Sequence, residues 1–242
     1  MYAMSANVQK PQPSYCVIIP AYNESAGIIP VIEKVRKIAE TVVVVDDGST
    51  DDTSEKAKSA GAVVIRHENN LGKGASLISG FKYGSEHKYD LVITLDADGQ
   101  HDPEEIPRFL DAYQRTRIPV LVGNRMWNTA GMPLLRYWTN LGMSRLLCRI
   151  MKQYLPDTQC GFRLYRCDIL NYAPTGSQRF AMESEILLQL ALRGFRMDSI
   201  RITTIYRGEK SRINPIMDTI RFLIMLVHFA HERKMRRTPP TA

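Results

Sequence analysis

The stretch TVVVVDDGSTDDT, residues 41–53, decides the fold. Four consecutive valines leave no polar face, so the segment reads as a strand buried on both sides. Asp46 and Asp47 end it abruptly. Upstream, YCVIIP (15–20) has the same β-branched, nearly continuous apolar character, and Ile28 to Glu40 between the two carries helical spacing. Downstream, GAVVIRH (61–67), DLVITLD (90–96) and IPVLVGNR (118–125) read as three more strands. GKGASLISGFKYGSEH (72–87) and DPEEIPRFLDAYQR (102–115) read as helices, the second opened by Asp before Pro with acidic residues in its first turn. Five strands with intervening helices predict an α/β fold with an open, mostly parallel central sheet flanked by helices. Ligands bind such sheets at the carboxyl ends of the strands. PAYNE (20–24), DDGS (46–49) and DADGQH (96–101) all lie there.

A chain of 242 residues suits one large domain. Hydrophobic content of 44% and charged content of 24% are ordinary for a soluble globular protein. The net charge of +7 suits an anionic partner (nucleic acid, nucleotide or acidic lipid) without choosing among them. Cys16, Cys148, Cys160 and Cys167 form no C-x-x-C pair, and no histidine cluster has zinc spacing. They read as buried free thiols in a reducing compartment. Residues 1–14 lack a secretory pattern and read as a flexible leader. No stretch reaches the ~18 uninterrupted apolar residues that span a bilayer. The expected location is therefore cytoplasmic, with peripheral membrane contact left open.

Asp96 and Asp98 share a loop, so both carboxylates can turn toward one point. An i, i+2 pair suits a hard divalent cation such as Mg²⁺ or Mn²⁺, which completes its shell with water and phosphate oxygens. Gln100 would add a neutral oxygen, and His101 is either a ligand or a loop residue. D-x-D alone also describes a solvated turn. Its position after a strongly apolar strand, beside two other polar strand ends, favours a site. Asp47 stands where an acid beyond a strand accepts hydrogen bonds from a nucleobase or ribose. The alternative is a turn in which Asp46 through Asp52 cap the next helix. NNLGKGAS (69–76) is glycine-rich but has neither the P-loop nor the dinucleotide fingerprint. Lys73 in it reads as a phosphate contact or as part of a tight loop.

After Arg125 the pattern changes. Arg136 to Tyr154 reads as a long helix carrying Arg136, Arg145, Arg149 and Lys152. DTQCGFRLYR (157–166) reads as a loop entering a short strand, and MESEILLQLALRGF (182–195) as a helix stopped by Gly194. SIRITTIYRGEKSR (199–212) reads as a strand followed by a basic loop. Glu183 and Glu185 are first-turn acids or, for a hydroxyl acceptor, candidate bases. In NPIMDTIRFLIMLVHFAHERKMRR (214–237), Asp218, Arg221, His228 and Glu232 share one helical stripe amid apolar residues, and Arg233, Lys234, Arg236 and Arg237 follow. Such a helix suits an anionic membrane surface, or packing on the domain or in a homodimer.

PAYNE (20–24), DDGSTDDT (46–53), NLGKGAS (70–76), LDADGQHDPEEI (95–106), GNR (123–125) and DTQCGFR (157–163) occur in this order. Together they closely resemble the family 2 inverting glycosyltransferases of the GT-A fold, and most closely the dolichol-phosphate (polyprenyl-phosphate) mannose synthase branch. The resemblance spans about residues 15 to 213. It implies a Rossmann-like GT-A catalytic domain there, followed by the amphipathic tail at 214–242. It implies that Pro20, Tyr22, Glu24, Val45 and Asp47 hold the nucleotide. Asp96 and Asp98, with Gln100, would hold the Mg²⁺ or Mn²⁺ that bridges the diphosphate, with Ala97 also at the nucleotide-sugar. Arg125 and Arg136 would face an acceptor phosphate. Arg207, with Lys210, Ser211 or Arg212, would close over the diphosphate from a loop. Asp98, Arg125 and Arg136 form the implied catalytic set. The Q-x-x-R-W signature of processive members is absent, which argues against polysaccharide polymerisation.

The chemistry agrees. A sugar nucleotide leaves a diphosphate, whose developing charge a divalent cation stabilises. A phosphate monoester with a second pKa near ~6 is already a nucleophile at pH 7. It needs arginines to position it rather than a base. The expected function is transfer of one hexose, foremost mannose from GDP-mannose, to a dolichyl or polyprenyl phosphate. The expected partners are a nucleotide-sugar donor, a lipid-phosphate acceptor and an anionic membrane surface. The rivals are a family 2 transferase using a sugar or small-molecule hydroxyl, and a nucleotide-binding protein that has lost catalysis, which the intact D-x-D opposes. A nucleic-acid binder is suggested by charge alone and has no recognition motif behind it.

Overall fold

The computed structural model describes residues 12–173 and 182–205 and, in the tail, 220, 222–224, 226 and 227. Tyr15–Ala21 (β1), Val42–Asp46 (β2), Val63–Arg66 (β3) and Leu91–Thr94 (β4) pair in parallel in the order β3-β2-β1-β4. The valine-rich β2 is buried at every position, as a strand with no polar face must be. Ile28–Arg36 (α1), Thr53–Ser59 (α2) and Lys73–Glu86 (α3) make the crossovers. α3 lies very close to the sheet because Gly80 and Gly84, which face it, lack side chains. A Cβ on Gly80 would stand 2.4 Å from Ile18 Cγ2, and one on Gly84 2.6 Å from Val92 Cγ2. That approach sets where Lys73, the first residue of α3, meets the strand ends.

The far half of the sheet does not follow chain order. After β4 come a 3-10 turn at Pro103–Glu105, Ile106–Thr116 (α4) and Val120–Asn124 (β5). β5 does not pair with β4. Arg163–Arg166 (β6) lies antiparallel between them, and Met197–Arg201 (β7) is parallel to β5 at the edge. The seven-stranded order is β3-β2-β1-β4-β6-β5-β7. Because β6 runs backwards, its first residue, Arg163, stands opposite Thr94 at the carboxyl end of β4. One rim of the sheet thus gathers the ends of β1, β2, β4, β5 and β7 and the start of β6.

Leu134–Met151 (α5) starts two residues before the expected Arg136 and stops before Tyr154, because Lys152 turns left-handed at φ 56°. Met182–Leu192 (α6) ends just before Gly194, whose φ is 80°. Phe109 and Phe162 stack at 4.6 Å in the core. The four cysteines are free, and burial pushes the Cys16 and Cys160 thiols up to about 12. In the tail, Phe222 is buried and Leu226 packs on the core, whereas Ile220, Leu223, Ile224 and Val227 are exposed. Among the described residues no helix is long and apolar enough to cross a membrane. The leader up to residue 11, Arg207, Lys210, Ser211 and Arg212, the stripe of Asp218, Arg221, His228 and Glu232, and the basic cluster at 233–237 lie outside the described residues.

Candidate active site

The loops after β1 and β2 are laced into one wall. The Asn23 amide donates to Ser49 Oγ at 2.9 Å, and its Oδ1 accepts from the Thr50 amide at 2.9 Å. The Glu24 amide donates to Thr53 Oγ1 at 2.9 Å. Asp46 is fully buried and shapes the turn, accepting from the Ser49 amide at 2.9 Å and from the Ser54 hydroxyl. Of the two acids expected to cap α2, only Asp51 bonds the Thr53 amide, at 3.1 Å. Asp52 occupies the cap position without a side-chain bond; the carboxylate one residue earlier already satisfies that donor.

Asp47 is also buried. Its oxygens accept from the Leu71 amide at 3.0 Å and the Gly72 amide at 2.7 Å, and Oδ1 lies 2.8 Å from His67 Nδ1. It therefore fastens the glycine-rich loop to the end of β2. Gly48, at φ 70°, lies so close to that loop that a Cβ would be 2.6 Å from the Asn69 carbonyl carbon. Tyr22 is exposed at the top of this wall. Pro20 and Val45 are register partners in the buried sheet behind it.

Beyond β4 the acidic pair divides into two different environments. Asp96 Oδ1 is 2.6 Å from Lys73 Nζ, and Oδ2 is 3.6 Å from His101 Nε2. Gly161 makes room for it, since a Cβ there would be 2.6 Å from Asp96 Oδ1. Burial alone raises the Asp96 carboxyl, but the Lys73 charge and the His101 contact outweigh it and hold the group well below the usual range. Burial likewise lowers Lys73, and the Asp96 and Glu183 charges overcome it and raise the ammonium above its ordinary value. Asp98 is exposed, and its Oδ1 accepts from the Gln100 amide at 2.9 Å. Desolvation by its surroundings, together with the Asp96 charge, pushes this carboxyl up. Asp96 thus already has a counter-charge, while the ionised form of Asp98 gains from a cation.

Among the described residues no group of three or more His, Cys, Asp or Glu forms a complete cage. A hard ion that keeps its waters and takes substrate phosphate oxygens needs only one or two protein carboxylates. Asp98 and Asp96, with the Gln100 amide oxygen, fit that donor set.

Across the cleft, the Arg125 guanidinium is 4% exposed and forks onto Asp157, Nε to Oδ2 at 2.7 Å and Nη2 to Oδ1 at 3.0 Å. Burial raises Asp157, and the Arg125 charge and hydrogen bonds more than reverse this. Arg136, in the first turn of α5, brings Nη1 to 3.5 Å from Gln100 Oε1, beside the acidic loop. Glu183, in the first turn of α6, is 3.3 Å from Lys73 Nζ. Buried Arg163 secures that helix start, donating to the Glu183 carbonyl at 2.7 Å as well as to the Cys160 and Thr158 carbonyls. After β7, the Ile205 amide donates to the Gln100 carbonyl at 2.9 Å, so the chain enters the basic stretch from the side of the acidic loop.

Lys73, Glu183, Asp96, Asp98, Gln100 and Arg136 are therefore linked by contacts into one cluster at the strand ends. Arg125 lies behind its rim on Asp157, a partner that the sequence offered only as the first letter of DTQCGFR.

Residues 16–172 match the model of glycosyl transferase family 2. UDP-N-acetylglucosamine–dolichyl-phosphate N-acetylglucosaminyltransferase of Methanococcus voltae is 30% identical over 213 residues, covering 78% of this chain and 85% of that protein. Undecaprenyl-phosphate mannosyltransferase of Micrococcus luteus is 28% identical over 204 residues, covering 78% of this chain and 83% of that protein. Among solved structures, glucosyl-3-phosphoglycerate synthase of Mycobacterium tuberculosis, in complex with Mn²⁺, UDP-glucose and phosphoglyceric acid, superposes with a TM-score of 0.69 at 21% identity. It covers 89% of this chain and 79% of that one, a likeness that bears on the GT-A fold alone. The family match takes in the loops after β1 and β2, the D-x-D loop and the Arg125–Asp157 pair, and this chain belongs to glycosyl transferase family 2.

Proposed function

We propose that the protein transfers one hexose, with inversion, from a nucleotide-sugar to a dolichyl or polyprenyl phosphate at the cytoplasmic face of a membrane. The observation that carries this reading is the Arg136 guanidinium 3.5 Å from Gln100 in the acidic loop. A planar cation there suits an acceptor phosphate, which is ionised at neutral pH and needs to be positioned more than deprotonated. The printed names of the two relatives above, both lipid-phosphate transferases, support the same acceptor class.

In this reading Tyr22, Glu24 and Asp47, backed by Pro20 and Val45, form the nucleotide side. Asp98 and Asp96, with Gln100, would hold Mg²⁺ or Mn²⁺, which when bound supplies Lewis acidity toward the leaving diphosphate, and Ala97 between them is assigned to the nucleotide-sugar. Arg136 holds the acceptor phosphate. Arg125, its charge balanced by Asp157, is assigned a positioning role behind it. Arg207, Lys210 and Arg212 follow Ile205, which is tied to Gln100, and are assigned to the diphosphate. One of the two relatives is named for mannose and the other for N-acetylglucosamine. We assign mannose from GDP-mannose as the first donor to test.

The experiment incubates the full chain and Mn²⁺ with GDP-mannose, UDP-glucose or UDP-N-acetylglucosamine and either a short-chain prenyl phosphate or free sugars. A glycosylated prenyl phosphate is the expected product. Turnover on sugar hydroxyls alone overturns the acceptor assignment.

A further inference from the structure

Helix α5 changes character along its length more than around it. Its first turns present Leu134, Leu135 and Trp138, which are 77%, 57% and 63% exposed. Its last turns present exposed Arg145 and Arg149. Leu134, Trp138, Arg145 and Arg149 recur at helical spacing and so share one side. At a rise of 1.5 Å per residue, the apolar tip and the final arginine are about 22 Å apart along the axis. Single exposed leucines are ordinary on a protein surface. Three large apolar side chains within two turns, at the mouth of a site, are not.

A groove of about 800 Å³ opens along the same helix, between it and the ends of β5 and β7. Trp127, Tyr137, Leu141 and Tyr154 line it together with Arg145 and Arg149. Aromatic residues beside arginines match the headgroup layer of a bilayer, where rings lie between water and acyl chains and cations meet lipid phosphates. Arg136 lies between Leu135 and Trp138 in the first two turns, but its guanidinium turns to Gln100.

We infer that α5 docks the protein on an anionic membrane along the side that Leu134, Trp138, Arg145 and Arg149 share, with its N-terminal end inclined into the lipid. Leu134, Leu135 and Trp138 dip below the headgroups, and Arg145 and Arg149 pair with lipid phosphates above them. A membrane fits this tip better than a second protein. A stable protein interface buries roughly 800 Å² per partner over a shaped face, more than three side chains on one helix end supply. The inference rests on the lipid-phosphate reading and deepens it, because the turn that enters the lipid also carries the arginine assigned to the acceptor phosphate.

The test is cosedimentation of the full chain with vesicles of phosphatidylcholine and of phosphatidylcholine mixed with phosphatidylglycerol. The unaltered chain is expected to partition onto the mixed vesicles. The combined variant Leu134→Ser, Leu135→Ser, Trp138→Ser is expected to lose at least ~10-fold in partitioning, since each side chain forfeits its burial in the acyl boundary. Its melting temperature checks that the variant is folded. In a Trp127→Phe chain, Trp138 is the remaining tryptophan, and lipids brominated near the headgroup are expected to quench it on binding. The inference is overturned by an unaltered chain that ignores mixed vesicles, by a folded triple variant that sediments like the unaltered chain, or by a bound chain whose Trp138 is unquenched. Turnover of a short-chain prenyl phosphate needs no membrane, so it tests the acceptor reading separately.

Discussion

The two sides of the cleft are held together by different forces. The side built from the β1 and β2 loops, assigned above to the nucleotide, is closed by hydrogen bonds between neighbouring loops: Asn23 with Ser49 and Thr50, Glu24 with Thr53, and Asp47 with the Leu71 and Gly72 amides. Backbone amides and short polar side chains do this work, and glycine makes the close approach at residue 48. The opposite side, assigned above to the acceptor, is held by the buried Arg125–Asp157 ion pair, and Lys73 reaches across to Glu183. A wall of local turns keeps its shape when one bond is lost. A wall of buried charges does not, because each partner's burial depends on the other.

Removing one of those charges is therefore the harshest test. Asp157→Ala leaves the Arg125 guanidinium buried and uncompensated, and is expected to cost ~3–5 kcal/mol in urea unfolding. Replacing both residues by Met and Leu is expected to recover most of that loss. A single variant within ~1 kcal/mol of the parent would put the pair on the same footing as an ordinary surface contact. The pH dependence has a definite sign. Arg125 holds the Asp157 carboxyl below its ordinary value. The pair's stability is then fully present above the unfolded carboxyl pKa near ~3.9 and is lost as pH falls through the lower folded value. The deficit of Asp157→Ala should stay flat from pH 8 to about pH 5 and shrink only below about pH 4.

Asp98→Ala is expected to reverse the pattern, changing turnover with little effect on stability. It is exposed, so Asp98→Ala should leave the melting point almost unchanged while turnover falls ~10²–10³-fold, the scale of losing one preorganised charge at a reacting diphosphate. Unchanged turnover removes the metal assignment. On the nucleotide side, Gly48→Ala adds a Cβ at φ 70° and 2.6 Å from the Asn69 carbonyl carbon. The expected cost is ~1–3 kcal/mol of stability. Nucleotide binding, measured by thermal shift, should weaken with it, because the two loops must separate.

The same division decides what the sequence made legible. The four valines of β2, the polar ends of β1, β2 and β4, and the D-x-D pair declare themselves locally, since turn chemistry and strand periodicity act over a few residues. The insertion of β6 does not. RLYR (163–166) is four residues long, and nothing in it says that Leu164 will pair with Ile93 on one side and Leu121 on the other. β7 was legible as a strand from Ser199, but not its start at Met197 or its place at the sheet edge beside β5. In the site, Lys73 was legible as a cation near a helix start. Its partners depend on how closely α3 lies on the sheet, which Gly80 and Gly84 set, and on where α6 begins. The Arg125–Asp157 pair was likewise beyond reach, because sequence spacing carries no information about which arginine meets which acid across a fold.

Lys73 is the contact that joins the two sides. Its ammonium lies 2.6 Å from Asp96 on the strand-end loop and 3.3 Å from Glu183 on α6. The group is partly open to solvent, so screening moderates its worth. Lys73→Met keeps the apolar stem and is expected to cost ~1–2 kcal/mol, less than Asp157→Ala, since water can reach the carboxylates left behind. Double-mutant cycles separate the two contacts. Pairing Lys73→Met with Asp96→Asn should give the larger coupling, and pairing it with Glu183→Gln about 0.5–1 kcal/mol. If the Glu183 cycle gives no coupling, the start of α6 is held by the Arg163 and Gln159 hydrogen bonds and by its buried apolar face rather than by Lys73.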